Sequence, residues 1–188
     1  MRTNRYSGLL KLKELGLPIP NVVKVDAIND INIFKLPETE FGWTIRTCKY
    51  NGINEIGLFY KNYIPKDELK NVLNLAFKLK KTDEFYIIYP SWEFIFSCNI
   101  VIDSNQIILE GKYGSQKTIS KGKDTGDFRI IFDKNNRKKM LVGNVKPIIM
   151  GAIQRILNLL EIINNVNSYL EVCLTTKNKL IFYEFWNL

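Results

Sequence analysis

The chain has 188 residues, 46% of them apolar, 24% charged and 12% aromatic, a composition that excludes disorder and needs no disulfide or metal to build a core. The net charge is +8, and there is no histidine. That absence excludes Ser-His-Asp and Cys-His nucleophiles, a phosphohistidine intermediate and any His-ligated metal in this chain.

In chain order, a weak amphipathic helix over Ser7–Leu15 ends at Gly16, before a Pro-x-Pro that fixes an extended exit. Short β-rich runs follow at Val22–Val25, Trp43–Thr47 and Ile56–Tyr60. Lys66–Lys81 places Leu69, Val72, Leu73, Ala76 and Phe77 on one helical face, and Pro65, Asp67 and Glu68 make a favourable start. Strands are expected next at Phe85–Tyr89, Phe94–Ile102, Ile107–Gly111, Lys117–Ser120 and Phe128–Phe132. Pro147–Asn165 is apolar over most of its circumference and reads as a helix enclosed against a sheet. Tyr169–Leu174 and Lys179–Phe185 close the chain as an antiparallel hairpin, with that helix packed across its sheet. Gly151, Gln154, Arg155, Asn158 and Glu161 break up the most apolar stretch, Pro147–Val166, so no membrane span is expected. Met1–Gly16 has no continuous apolar core of the kind a signal peptide needs. Cys48, Cys98 and Cys173 stand far apart and read as reduced, buried thiols, so the expected location is cytoplasmic.

The positive charge is concentrated. Between Lys112 and Lys146 ten basic residues face three aspartates, a local +7, while the rest of the chain is nearly neutral. Lysines on an exposed strand edge give this pattern, and so does an anion site for nucleotide phosphates or a nucleic-acid backbone. Tyr113, Phe128 and Phe132 interleave with the basic residues, which makes single-stranded nucleic-acid binding the alternative function.

Order and spacing go further. Asn4-Arg5-Tyr6-Ser7-Gly8-Leu9 and Gly16-Leu17-Pro18-Ile19-Pro20 resemble the G-G-K-x-x-x-L and G-[LI]-P-[VI]-P segments of the nucleotide-binding domain of phosphoenolpyruvate synthase and pyruvate phosphate dikinase, a member of the ATP-grasp group. Ile45-Arg46-Thr47-Cys48 resembles that family's V-R-S-S strand. Ser97–Ile102, Ile107–Gly111 and Tyr113–Gly122 follow its next two strands and their Y-G-x-G-E motif. Tyr169-Leu170-Glu171-Val172-Cys173 and Lys179–Glu184 resemble its closing hairpin, with a turn one residue longer.

The resemblance implies an α+β, ATP-grasp-like fold of mostly antiparallel sheets with two main helices and a C-terminal β-hairpin. It implies one unit over residues 1–188, with lobes near 1–90 and 91–188. ATP and Mg²⁺ would be the cofactors, with Glu171 and Glu184 on the metal and Arg5, Arg46, Lys112 and Lys117 on the nucleotide phosphates. Two carboxylates on facing strands suit Mg²⁺, which takes hard oxygen ligands and bridges phosphates. The residues alone equally allow both glutamates to lie on a solvated strand face. Three positions depart from the family: Arg5 replaces its lysine, Lys117 its acidic residue and Trp186 its arginine. The family's sizeable N-terminal subdomain is largely missing, so a partner protein or second domain would supply the absent parts. The expected function is therefore Mg-nucleotide binding, as a minimal phosphotransferase or ligase or as a degenerate binder.

Overall fold

The computed structural model describes residues 4–52, 57–114, 125–163 and 167–188. The chain divides into two compact units. One comprises Arg2–Ser7 and Pro20–Trp92, and the other Gly8–Ile19 and Glu93–Leu188.

The smaller unit is a four-stranded antiparallel sheet backed by one helix. Its strands are β1 (Val23–Val25), β2 (Trp43–Lys49), β3 (Tyr60–Ile64) and β4 (Glu84–Pro90), in the order β1-β4-β2-β3. Helix α2 (Lys66–Leu79) buries Leu69, Val72, Leu73 and Ala76, the stripe that the 3.6-residue period calls for. Those side chains meet Val25, Trp43, Ile45, Ile64, Tyr86 and Ile88 in one core. The Tyr86 hydroxyl donates to the Ala76 carbonyl at 2.7 Å, which ties α2 to β4. Asn4 is buried and serves two ends at once: its side-chain oxygen caps helix α1 (Arg5–Glu14) at the Ser7 N–H, 2.7 Å away, and its amide donates to the Lys49 carbonyl at 2.8 Å. Strand β3 begins at Tyr60, where the sequence pattern ends its strand, and runs on through the polar Lys61 and Asn62. As an edge strand it needs few apolar residues, so hydrophobic patterning misplaces it. Of the expected Ile56–Tyr60 strand, Ile56 lies outside the described residues.

The larger unit is a six-stranded antiparallel sheet in the order β10-β9-β5-β6-β7-β8. Its strands are β5 (Phe94–Ile102), β6 (Gln106–Tyr113), β7 (Phe128–Asp133), β8 (Lys139–Gly143), β9 (Ser168–Thr175) and β10 (Leu180–Asn187). The expected Lys117–Ser120 strand lies outside the described residues. One face is apolar, with Cys98, Ile100, Ile102, Ile107, Leu109, Leu170 and Val172 fully buried. Helix α3 (Pro147–Leu160) buries Ile149, Ala152, Ile153, Ile156, Leu157 and Leu160. Its polar flank is fixed at both ends of the sheet. Lys139 of β8 donates to Gln154, and Arg155 donates to Asn178 in the β9–β10 turn at 2.8 Å.

The enclosed helix expected from composition is corrected here. Half of α3 faces solvent, Ile148 is 79% exposed, and Met150 is exposed as well. The exposed residues recur with the same period as the buried ones, so α3 covers a single face. Gly8 lets α1 approach the sheet: a Cβ there would stand 2.8 Å from the Phe185 carbonyl oxygen on β10. All three cysteines are buried free thiols, and burial pushes the Cys98 thiol well up, with Cys173 adding to the rise.

Candidate functional site

Cross-strand register decides which side chains share a face, because directly opposed residues project to the same side. One transverse row of the larger sheet reads Glu184, Glu171, Asn99, Glu110, Arg129 from β10 through β9, β5 and β6 to β7. The first pair is not given by the spacing alone. Phe182 opposes Val172 and Glu184 opposes Glu171, so Tyr183 is an extra residue, a β-bulge. An unbroken ladder would set Tyr183 opposite Glu171 and turn Glu184 onto the other face. The bulge therefore aims Glu184 at Glu171.

Glu184 is 2% exposed and Glu171 half-buried. The Tyr169 hydroxyl donates to Glu171 Oε1 at 2.9 Å, and the Tyr169 ring stacks on Trp186 with centroids 4.0 Å apart. Asn99, on the other side of Glu171, holds its Oδ1 buried with no hydrogen-bond partner. A buried carbonyl oxygen without a donor is costly unless something electropositive meets it. With Glu110 paired to Arg129 at 3.3 Å, the row offers two further carboxylates and one unsatisfied amide oxygen, all hard oxygen donors of the kind Mg²⁺ takes. Among the described residues no cluster of three or more Asp, Glu, His or Cys occurs. A cation here would complete its shell with water and ligand oxygens, as Mg²⁺ commonly does.

Lys112 lies on the same face as Glu110, one step along β6, and opposes Ser97 of β5. Lys117 lies outside the described residues. Arg46 and Arg5 belong to the smaller unit. Arg46 is the one β2 residue that is not buried. Its guanidinium lies 4.5 Å from the Tyr60 ring centre, and its Nε donates to the Tyr89 hydroxyl at 3.3 Å. Stacking on one tyrosine and bonding to another fixes the side chain while leaving other N–H groups to meet an anion. Arg5 is the first residue of α1, directly after the Asn4 cap. The larger sheet thus brings Glu171, Glu184 and Lys112 together on one face.

Asn99 escaped the sequence reading because a polar residue within Ser97–Ile102 looks like an interruption of an apolar strand. Its one signal was position, midway along a strand whose neighbours in sequence are buried.

The aromatic residues of the basic segment are committed to packing. Phe128 and Phe132 are buried. The Tyr113 hydroxyl accepts from the Lys146 N–H at 2.7 Å and donates to the Asn144 carbonyl at 3.0 Å. The smaller unit also holds a pocket of about 830 Å³ beside the start of α2, lined by Phe34, Phe41, Tyr63, Lys66 and Lys70 among others. It contains none of the expected site residues.

No family description matches the sequence, and no curated protein matches it. Solved structures do match the fold over nearly the whole chain. The N5-carboxyaminoimidazole synthetase from Staphylococcus aureus, complexed with ADP, is 16% identical with a TM-score of 0.57, over 98% of this chain and 44% of that one. An L-amino acid ligase from Bacillus licheniformis is 12% identical with a TM-score of 0.53, over 99% of this chain and 40% of the ligase. The macrocyclase MdnC from Microcystis aeruginosa MRC, bound with precursor peptide MdnA, is 18% identical with a TM-score of 0.52, over 96% of this chain and 51% of the macrocyclase. The chain spans about half or less of each of these proteins. The fold is ATP-grasp-like.

Proposed function

We propose that this chain binds a magnesium–ATP complex, with Glu171 and Glu184 as the metal's protein ligands. The observation that carries the reading is the Glu171–Glu184 pair, brought into direct opposition by the β-bulge at Tyr183. The unsatisfied Oδ1 of Asn99 beside Glu171 supports it. When bound, Mg²⁺ would offset the charge of the phosphates and orient them. Lys112 and Lys117 in the larger unit, and Arg5 and Arg46 in the smaller, would take the remaining phosphate charge. Arg46 suits this role because its aromatic contacts pre-order the guanidinium, which lowers the entropic cost of gripping an anion. Lys117, where the phosphoenolpyruvate synthase-like motif carries an acid, favours phosphate binding over proton transfer. The chain would then be a nucleotide binder with slow or no turnover by itself, completed by a partner protein or second domain. Three reduced, buried thiols agree with a cytoplasmic location.

The test is a thermal melt with ATP, with and without magnesium. Ligand at a hundred times its dissociation constant adds about 2.7 kcal/mol. At roughly 2–4 °C per kcal/mol for a chain of this size, the midpoint should rise by about 5–10 °C. Glu171→Gln and Glu184→Gln should each remove the magnesium-dependent part of that rise. No shift in wild type, or an equal shift in both variants, refutes the reading.

A further inference from the structure

The basic segment between Lys112 and Lys146 has no part in the nucleotide reading beyond Lys112 and Lys117, yet it contains the sheet's most exposed element. Every residue of β8 is exposed, including the apolar Met140, Leu141 and Val142. It is the last strand of the sheet, and among the described residues no strand pairs with its outer side. Helix α3 runs back beside it, since Lys139 donates to Gln154, and adds the exposed Met150, one turn before Gln154, to the same surface. Natural sheets usually blunt such an edge with charge, proline or brevity, and large exposed apolar patches mark interaction sites.

The ladder shows which backbone groups are free to pair. The Asp133 N–H donates to the Lys138 carbonyl at 2.9 Å and the Asn144 N–H to the Asp127 carbonyl at 3.0 Å, so by alternation Met140, Val142 and Asn144 turn their amides toward β7. Lys139, Leu141 and Gly143 therefore direct theirs outward. Charge then selects the partner. Arg129 and Arg137 are paired with Glu110 and Glu161. Lys138, Lys139 and Lys146 have no carboxylate partner among the described residues. A second copy pairing through β8 would set two such clusters in one ladder, which like charge opposes. Nucleic acid would use aromatics for stacking, and here the β8 surface is aliphatic, Phe128 and Phe132 are buried and the half-buried Tyr113 is held by Asn144 and Lys146.

We propose that β8 and the flank of α3 take up an extended, acidic and apolar peptide segment of a partner protein as a seventh strand, by β-strand addition. This does not depend on nucleotide binding. The partner's acidic side chains lie against Lys138 on one face of the sheet and Lys139 on the other, and its apolar side chains lie on Met140 and Val142 of the first face and on Leu141 and Met150 of the second.

The probe is a fluorescein-labelled peptide of about eight residues with an apolar Val-Ile-Val stretch followed by Glu-Glu, which antiparallel pairing sets against Lys139 and Lys138, and binding is followed by anisotropy. Saturable binding is expected, weakening as salt rises from about 50 to 200 mM. Leu141→Pro removes an outward N–H without touching the bonds to β7, and proline is tolerated on an edge strand in that orientation. It should weaken binding at least about tenfold, while Leu141→Thr, which keeps the N–H, should stay within about fivefold of wild type. Lys138→Glu with Lys139→Glu should also abolish binding, whatever happens to the proline variant. No saturable binding to wild type, or unchanged binding in Leu141→Pro and the double-glutamate variant, overturns the proposal. Tighter binding of oligothymidylate at the same salt, or a concentration-dependent dimer in sedimentation that excludes the peptide, overturns it in favour of nucleic acid or a second copy.

Discussion

Tyr169→Phe isolates the hydroxyl that holds Glu171. The ring keeps its stack on Trp186 at 4.0 Å, so the substitution removes one oxygen and little else. What is lost is a 2.9 Å hydrogen bond to a carboxylate, and bonds to charged groups contribute about 1.5–3 kcal/mol net. Glu171 is only half-buried, which puts this one at the low end, about 1.5 kcal/mol. At about 1.4 kcal/mol per factor of ten, the metal affinity of the ATP-loaded protein should fall about tenfold, at the lower edge of what outer-shell partners of metal ligands contribute. The measurement is a Mn²⁺ titration by electron paramagnetic resonance at saturating ATP, with near-ultraviolet circular dichroism to check the Tyr169–Trp186 environment. Unchanged metal affinity with an intact aromatic signal would refute the argument that Tyr169 positions a metal ligand. A collapse of the aromatic signal would refute it differently, by making the hydroxyl structural.

Two further outcomes are expected. Gly8→Val drives a side chain into the Phe185 carbonyl, 2.8 Å from where its Cβ must stand, and should cost about 1–3 kcal/mol, lowering the midpoint by about 2–12 °C in a melt. The Tyr50 hydroxyl donates to Asp26, and this bond together with burial pushes its pKa from 10.0 to about 12. Because the folded value is the higher one, the contact's stabilisation is full below pH 10 and is lost as pH rises through about 12. The Lys24 ammonium, and then Tyr50, holds Asp26 below its ordinary 3.8, so that part is present above 3.8 and lost as pH falls through the lowered value. A phenolate absorbance titration should show Tyr50 ionising near pH 12, identified as the signal that returns toward 10.0 in Asp26→Asn. Titration of every exposed tyrosine near pH 10 would exclude the contact.

What the sequence made legible followed from periodicity. Strand β5 occupies Phe94–Ile102 as read, and α2 starts at Lys66 and buries the stripe its spacing announces, stopping two residues earlier than Lys81. Strand β8 was missed because Lys138 and Lys139 at its start and Gly143 at its end look like loop residues, and its outer side has no core to impose alternation. The candidate site was half legible. Glu171 and Glu184 could be singled out by resemblance, but their opposition rests on the bulge at Tyr183, and register is a tertiary property. Asn99 could be weighed only once its neighbour across the ladder was known to be Glu171. Helix α3 was read as enclosed because the count of apolar residues hides where they point. Ile148 and Met150 are as apolar as Ile149 and Ile153 but lie on the solvent side.

The two margins of the larger sheet are unlike, and that sets a limit on self-association. Along β10 the outer side is already occupied: the Phe182 N–H donates to the Pro18 carbonyl at 2.8 Å, and Gly8 brings α1 against Phe185. Among the described residues, only β8 is left to accept another strand on this sheet. Fibre growth by edge-to-edge stacking needs a sheet that can be extended in both directions, so that each added molecule offers a new end. With one margin sealed by its own chain, this sheet can be extended once and then presents nothing further to extend. Removing the seal, for instance by deleting residues 8–18, would turn a self-terminating element into one able to polymerise.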